Sequence, residues 1–164
     1  MISGVVFDST YLIDLFNPRL QGDKRVALDF LVAELSKTRV RIQIPSPCLT
    51  ELLVRAGSAR DKYVQQLGSS SAFEVIAYDR RAATECALLL DAAWDSKTQK
   101  NITKTKFKFD WMIVACAASR NVQRIYSDDV DILRCAAQVG IKTIKQADLP
   151  IPAELRQLRI PDSD

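Results

Sequence analysis

A chain of 164 residues suffices for one domain that buries most of the surface its unfolded form exposes. With 48% hydrophobic and 26% charged residues it is not a disordered chain, and no apolar run approaches the ~20 residues of a membrane span. The 23 basic and 20 acidic residues leave a net charge of +3, which names no partner, and the absence of histidine excludes Ser-His-Asp and Cys-His catalysis.

General acid–base work near neutral pH must then fall to carboxylates, lysines or metal-bound water. Cys48, Cys86, Cys116 and Cys135 form no Cys-x-x-Cys pair, so a zinc site is excluded as well. Cys86, Cys116 and Cys135 fall among alanines and leucines and read as small core hydrophobes, as in a reducing cytosol. The start, Met1-Ile2-Ser3-Gly4, has no charged n-region and no small-residue cleavage pattern, so a cytoplasmic protein with no membrane partner is expected.

Strand and helix patterns alternate along the chain. Gly4-Val5-Val6-Phe7 is a β-branched and aromatic run that stops at Asp8, and Ser9 is placed to cap a helix with Tyr11, Leu12, Leu15 and Phe16 at helical spacing. After Asn17-Pro18 a second helix is predicted over Lys24–Lys37, with Val26, Ala27, Phe30, Leu31 and Leu35 on one face. Val40–Ile44 alternates as a strand closed by Pro45, and Ser46-Pro47 reads as an N-cap followed by proline. Leu49, Leu52 and Leu53 line the buried side of that helix, with Glu51 in its early turns.

A short helix follows at about Asp61–Leu67, then the break Gly68-Ser69-Ser70-Ser71. Phe73–Ala77 is the third predicted strand, and a long helix repeats Ala82, Cys86, Leu89, Leu90, Ala93 and Trp94 at three and four. A lysine-rich strip, 97–108, precedes a helix opened by Asp110 and carrying Ile113, Val114 and Ala117. Arg124–Ser127 is a fourth strand halting at Asp128-Asp129, Ile132, Leu133 and Ala136 belong to a helix stopped by Gly140, and Ile141–Ile144 is a fifth strand. Strands separated by helices predict one three-layer α/β/α sandwich on a parallel sheet of about five strands, residues 1–147, with a C-terminal tail over 148–164.

In such sheets ligands bind beyond the carboxyl ends of the strands, near the switch in strand order. Asp8 and Asp128-Asp129 end two strands, Glu51 follows a third, and Asp110 follows the lysine strip, so four acids distant in sequence can meet on one rim. Each has a plainer role available. Asp8, Asp110 and Asp129 suit helix starts, where the dipole favours negative charge, and Glu51 suits a surface. Taken together, clustered carboxylates repel one another unless cations compensate, and oxygen donors without imidazole or thiolate suit Mg²⁺ or Mn²⁺. Metal ions held there support phosphodiester cleavage without histidine.

Val5-Val6-Phe7-Asp8-Ser9, Pro47-Cys48-Leu49-Thr50-Glu51-Leu52, Phe109-Asp110 with the apolar helix after it, and Ile125-Tyr126-Ser127-Asp128-Asp129-Val130-Asp131 resemble, in order and spacing, the motifs of PIN domains. Among these the chain is most similar to single-domain VapC-type ribonuclease toxins. The resemblance implies a metal-dependent endoribonuclease, with Asp8, Glu51, Asp110 and Asp129 as catalytic acids and metal ligands for Mg²⁺ or Mn²⁺. It leaves Asp128 as a rival ligand to Asp129, gives Ser127 and Ser9 supporting roles, and makes Asp131 an accessory acid. Asp79 and Glu85 lie where some members carry a further acid. RNA as substrate, an antitoxin protein as partner and a homodimer are implied in the same way.

Lys97, Lys100, Lys104, Lys106 and Lys108 crowd into twelve residues beside Asp110, read either as a solvated loop or as a polyanion contact. In the second case Lys104, Lys106 and Lys108 bind RNA and guide it to Asp110. Phe107 and Trp111 would stack on bases if exposed, or else pack in the core. The rival from another class is a non-catalytic PIN-like RNA-binding or assembly module, whose acids are normally depleted. A haloacid-dehalogenase-like phosphatase would want Asp-x-Asp at the first strand, where this chain has Thr10, and flap-type DNA nucleases are much longer.

Overall fold

A computed structural model describes residues 4–95 and 104–156. Five strands, β1 (Gly4–Phe7), β2 (Arg41–Pro45), β3 (Phe73–Ile76), β4 (Arg124–Tyr126) and β5 (Lys142–Ile144), form one sheet in the order β3-β2-β1-β4-β5. Every pairing is parallel, with Val5 opposite Ile42, Ile44 opposite Val75, Phe7 opposite Tyr126 and Ile125 opposite Thr143. The all-buried pattern of β1 is what a central strand covered on both faces requires.

The connections are helical: α1 (Ser9–Phe16), α2 (Gly22–Lys37), α3 (Ser46–Ala56), α4 (Arg60–Ser69), α5 (Arg80–Asp95), α6 (Lys104–Ser119), α7 (Val130–Gln138) and α8 (Ala153–Arg156). From β1 the chain steps outward to β2 and β3, then crosses back to β4 and β5 on the other side of β1. Right-handed crossovers place helices of the two legs on opposite faces. In accord with this, α1 packs on α2 and α3, and α3 on α4, while α6 packs on α5 and α7; α3 and α6 also touch. This is the expected α/β/α sandwich, and its strand order reverses between β1 and β4.

Several local expectations change. Asp8, not Ser9, caps α1, and Ser46 lies inside α3, where its hydroxyl accepts the Tyr78 N–H at 3.0 Å instead of capping. The buried stripe of α2 keeps the expected Ala27, Leu31 and Leu35 but adds Leu28 and Val32 in place of Val26 and Phe30. On α3 it comprises Cys48, Leu49 and Leu52 without Leu53. The largest difference is in α6. It begins at Lys104, so Asp110 stands well inside the helix, because Lys104–Phe109 contains no residue that breaks one.

All four cysteines are free and buried. Phe7, Tyr11 and Tyr126 form an aromatic triangle with centroids 5.1–5.5 Å apart beneath the carboxyl ends of β1 and β4. Gly140 takes the left-handed conformation (φ 73°) that turns the chain from α7 toward β5. Past residue 147, Leu149 is buried and Ile151 packs on the core. No helix among the described residues is long and apolar enough to cross a membrane.

Candidate active site

The connections leaving β1 and β4 run to opposite faces of the sheet, which opens a crevice beyond these two strands. Asp8 stands at its floor, 3% exposed. One carboxylate oxygen accepts the Ser9 N–H at 2.6 Å, the Ser9 hydroxyl at 3.2 Å and the Cys48 thiol at 3.7 Å. The other accepts the Ser127 hydroxyl at 2.6 Å. Burial pushes the Asp8 carboxyl above its ordinary range and the charge of Asp129 adds to the rise, against the hydrogen bonds from Ser127 and Ser9.

Ser127 is fully buried and serves two groups, since its oxygen also accepts the Asp129 N–H at 3.1 Å. Asp129 caps α7 by accepting the Asp131 N–H at 2.8 Å. The helix-start role weighed for Asp8 and Asp129 is thus real at both, and each does it with one oxygen.

Asp110 comes from the middle of α6 and is 5% exposed. Burial raises its carboxyl to about 6; Lys106 opposes the rise, and Asp129 and Asp131 add to it. Lys106 is one helical turn earlier. Its ammonium lies 3.0 Å from Asp110 Oδ2, 3.1 Å from Asp129 Oδ2 and 2.7 Å from Asp131 Oδ2. Burial acts to lower the Lys106 ammonium, but hydrogen bonds to Asp131, Asp110 and Asp129 outweigh it and hold the group above the usual lysine range. In this structure the Lys106 side chain, expected at the RNA path, is turned onto the acidic rim and acts as its internal cation.

Glu51 faces the same region from α3. It shares a groove of ≈ 500 Å³ with Pro47, Val54, Thr105, Lys106 and Phe109, and its charge reaches Cys48 beside Asp8. Asp128 goes elsewhere. Its two oxygens accept the Gln146 backbone N–H at 2.8 Å and the Gln146 side-chain amide at 2.7 Å, and that amide also donates to Asp14 at 2.8 Å. Asp128 is thus turned to the β5 side, away from the three acids around Lys106, so this structure sets it apart from Asp129. Asp79 pairs with Arg120 at 3.0 Å and accepts the Ala82 N–H, while Glu85 is half-buried on α5. Neither belongs to the group of acids around Lys106.

Trp111 and Phe107 are 1% and 6% exposed and meet edge to face at 6.3 Å, which excludes base stacking by either. Lys108 is exposed on α6, and Lys104 opens that helix. Lys97 and Lys100 lie outside the described residues. Two contacts went unremarked in the sequence. The Cys48 thiol on Asp8 leaves no signal beyond its place in a motif, but the Lys106–Asp110 pair has the i, i+4 spacing that joins side chains along a helix.

Among the described residues no three acidic or cysteine side chains are spaced to hold a metal ion directly, and Lys106 stands among Asp110, Asp129 and Asp131. The donor set itself fits a hard divalent cation: three carboxylates already converge on one positive charge, and no imidazole or thiolate is among them.

No family model matches the chain, and no curated protein matches it in sequence. Solved structures with a similar fold include the DNA-bound VapBC of Salmonella typhimurium, which matches over 87% of this chain and 98% of its own at 19% identity and TM-score 0.59. VapBC2 of Rickettsia felis, bound to a promoter DNA fragment, matches over 86% and 97% at 14% identity and TM-score 0.62. FitAB bound to a DNA fragment matches over 89% and 97% at 15% identity and TM-score 0.64. Identities this low carry the fold and not the activity. The chain has a PIN-like α/β fold, the fold it shares with chains of the VapBC and FitAB complexes.

Proposed function

We propose that the chain is a metal-dependent endoribonuclease that hydrolyses phosphodiester bonds of RNA, and that it is the toxin of a toxin–antitoxin pair. The observation that carries the first part is the convergence of Asp110, Asp129 and Asp131 on one cation, beside Asp8, at the switch point of a parallel sheet. Asp8, Asp110 and Asp129, with Asp131 and Glu51 at the margin, would hold Mg²⁺ or Mn²⁺. Held by these acids, such an ion would supply the activation of a water and the neutralisation of charge on the phosphate. The chain's own part is orientation. Ser127 and the Ser9 N–H fix Asp8 by hydrogen bonds, and the Ser127 bond to the Asp129 N–H sets the second acid against the first. Exposed Lys108, with Lys104 at the helix start, offers positive charge to a polyanion whose approach the acids oppose.

An antitoxin partner is supported by the solved structures of similar fold, which include toxin–antitoxin complexes. The function is tested by incubating a mixed RNA pool with Mg²⁺ or Mn²⁺, beside a DNA pool and the Asp8→Asn variant. Metal-dependent cleavage of RNA that Asp8→Asn abolishes is the expected result. The three ion pairs of Lys106 favour a second reading, a non-catalytic PIN-like RNA-binding or assembly module whose acids are neutralised internally. RNA binding without cleavage, equal in both proteins, would establish that one.

A further inference from the structure

Three carboxylates that close cost free energy unless something positive stands among them. In this chain that charge is built in. The Lys106 ammonium lies 2.7–3.1 Å from an oxygen of each of Asp110, Asp129 and Asp131, which come from α6, the start of α7 and its first turn. The side chain keeps 45% of its surface in solvent, so it reaches the acids from outside. It also lines the α3–α6 groove with Glu51 and Phe109, so an open path leads away from the acids along the same wall.

We propose that Lys106 is a displaceable counter-ion of this site: it neutralises Asp110, Asp129 and Asp131 until a divalent cation takes its place, and its released ammonium then meets a substrate phosphate in the α3–α6 groove. The inference rests on the nuclease reading above and adds to it a competition between a side chain and the metal. The two cations share the same carboxylate oxygens, so they exclude each other there. Once released, Lys106 exchanges its carboxylate partners for water or phosphate. A lysine suits this exchange, being a compact charge on a flexible stem that forms no fixed fork with its acids. The result is a site whose metal affinity is set below what its carboxylates alone would give.

Mn²⁺ binding, read from the electron spin resonance signal of the free ion, tests this without reference to cleavage. Lys106→Met removes the charge and keeps the length of the stem, and Lys108→Met removes the same charge from the exposed face of the same helix. Lys106→Met should bind Mn²⁺ at least tenfold more tightly than the parent, and Lys108→Met within about twofold of it. A second measurement needs no variant. The rate at which an amine-reactive acylating reagent modifies Lys106 in the parent protein, followed by peptide mass spectrometry, should rise severalfold with Mn²⁺ while that of Lys108 stays constant.

Equal Mn²⁺ affinity of parent and Lys106→Met, or acylation of Lys106 unaffected by a saturating ion, would overturn the displacement and leave the nuclease reading standing. Absence of Mn²⁺ binding in both proteins would overturn both. Binding by Lys106→Met with none by the parent would show that the ion cannot dislodge Lys106, and would overturn the displacement as well.

Discussion

The Ser127 hydroxyl donates to Asp8 across 2.6 Å of space and 119 residues of sequence, tying the ends of β1 and β4 together at the floor of the crevice. Ser127→Ala leaves a buried carboxylate oxygen without its donor and the Asp129 N–H without its acceptor. The expected cost is about 1–3 kcal/mol in urea unfolding. RNA cleavage should fall at least about tenfold, since each 1.4 kcal/mol of lost orientation is a factor of ten. Full activity in Ser127→Ala would remove the serine from the site.

Asp110→Asn should abolish cleavage and raise the melting temperature of the metal-free protein near pH 7. The sign follows from the carboxyl, which burial raises from 3.8 unfolded to about 6 folded. The folded state binds the proton more tightly, so this contribution to stability is complete below pH ~4 and is lost as the pH climbs through ~6. Asparagine stays neutral throughout. Melting curves from pH 4 to 8 should therefore diverge upward for the variant, with Lys106 still paired to Asp129 and Asp131. A variant that melts lower than the parent at pH 7 would show that the Lys106 pair outweighs the burial cost.

The adjacent acids Asp128 and Asp129 should separate cleanly. Asp128→Ala breaks two hydrogen bonds to Gln146 and is expected to lower stability by about 1–2 kcal/mol, with cleavage per folded molecule within about threefold of the parent. Asp129→Ala should remove cleavage. Loss of activity in a folded Asp128→Ala protein would return Asp128 to the site.

Changing Lys104 and Lys108 together to Gln should weaken single-stranded RNA binding and flatten its dependence on salt, by roughly 0.7 in log–log slope for each phosphate that is no longer neutralised. Fluorescence anisotropy across a series of KCl concentrations reads both. Mn²⁺ affinity should stay at the parent value, because it is Lys106 that holds the three acids. An unchanged slope would place the RNA path elsewhere.

The sheet and its order of elements were legible because each strand carries a compact β-branched run, and β1, β2 and β4 run up to an acid or a proline where the chain turns into the next helix. Asp8, Asp110 and Asp129 were legible for a similar reason, as acids at strand ends or beside an apolar helix. What escaped was the phase of helices. The apolar residues of α2 are dense enough that two stripes satisfy helical spacing, and only packing against the sheet chose Leu28 over Phe30. The start of α6 escaped because a lysine run reads as solvated loop until its acids are in place. Lys106 is helical in part because Asp110 lies one turn on and Asp129 and Asp131 lie across from it. The roles of Asp128 and Asp129 depend on which way each turns at the end of β4. Two neighbouring acids carry no such information in sequence.

The central place of β1 has a bearing on when the crevice is completed. A strand from the first residues of the described chain has β2 on one side and β4 on the other, so the crevice closes only after more than a hundred residues have followed. Joining such distant segments demands a large loop-closure entropy, and local contacts form sooner. During synthesis the half built from β1, β2 and β3 can collapse around Asp8 while its partners are still unmade. The rim that brings Asp8, Asp110 and Asp129 together is therefore made only once β4 and α6 have followed β1. On the nuclease reading, a ribosome carrying an incomplete copy would be spared the activity of its own product, and truncation before β4 should yield an inert fragment instead of a weakened enzyme.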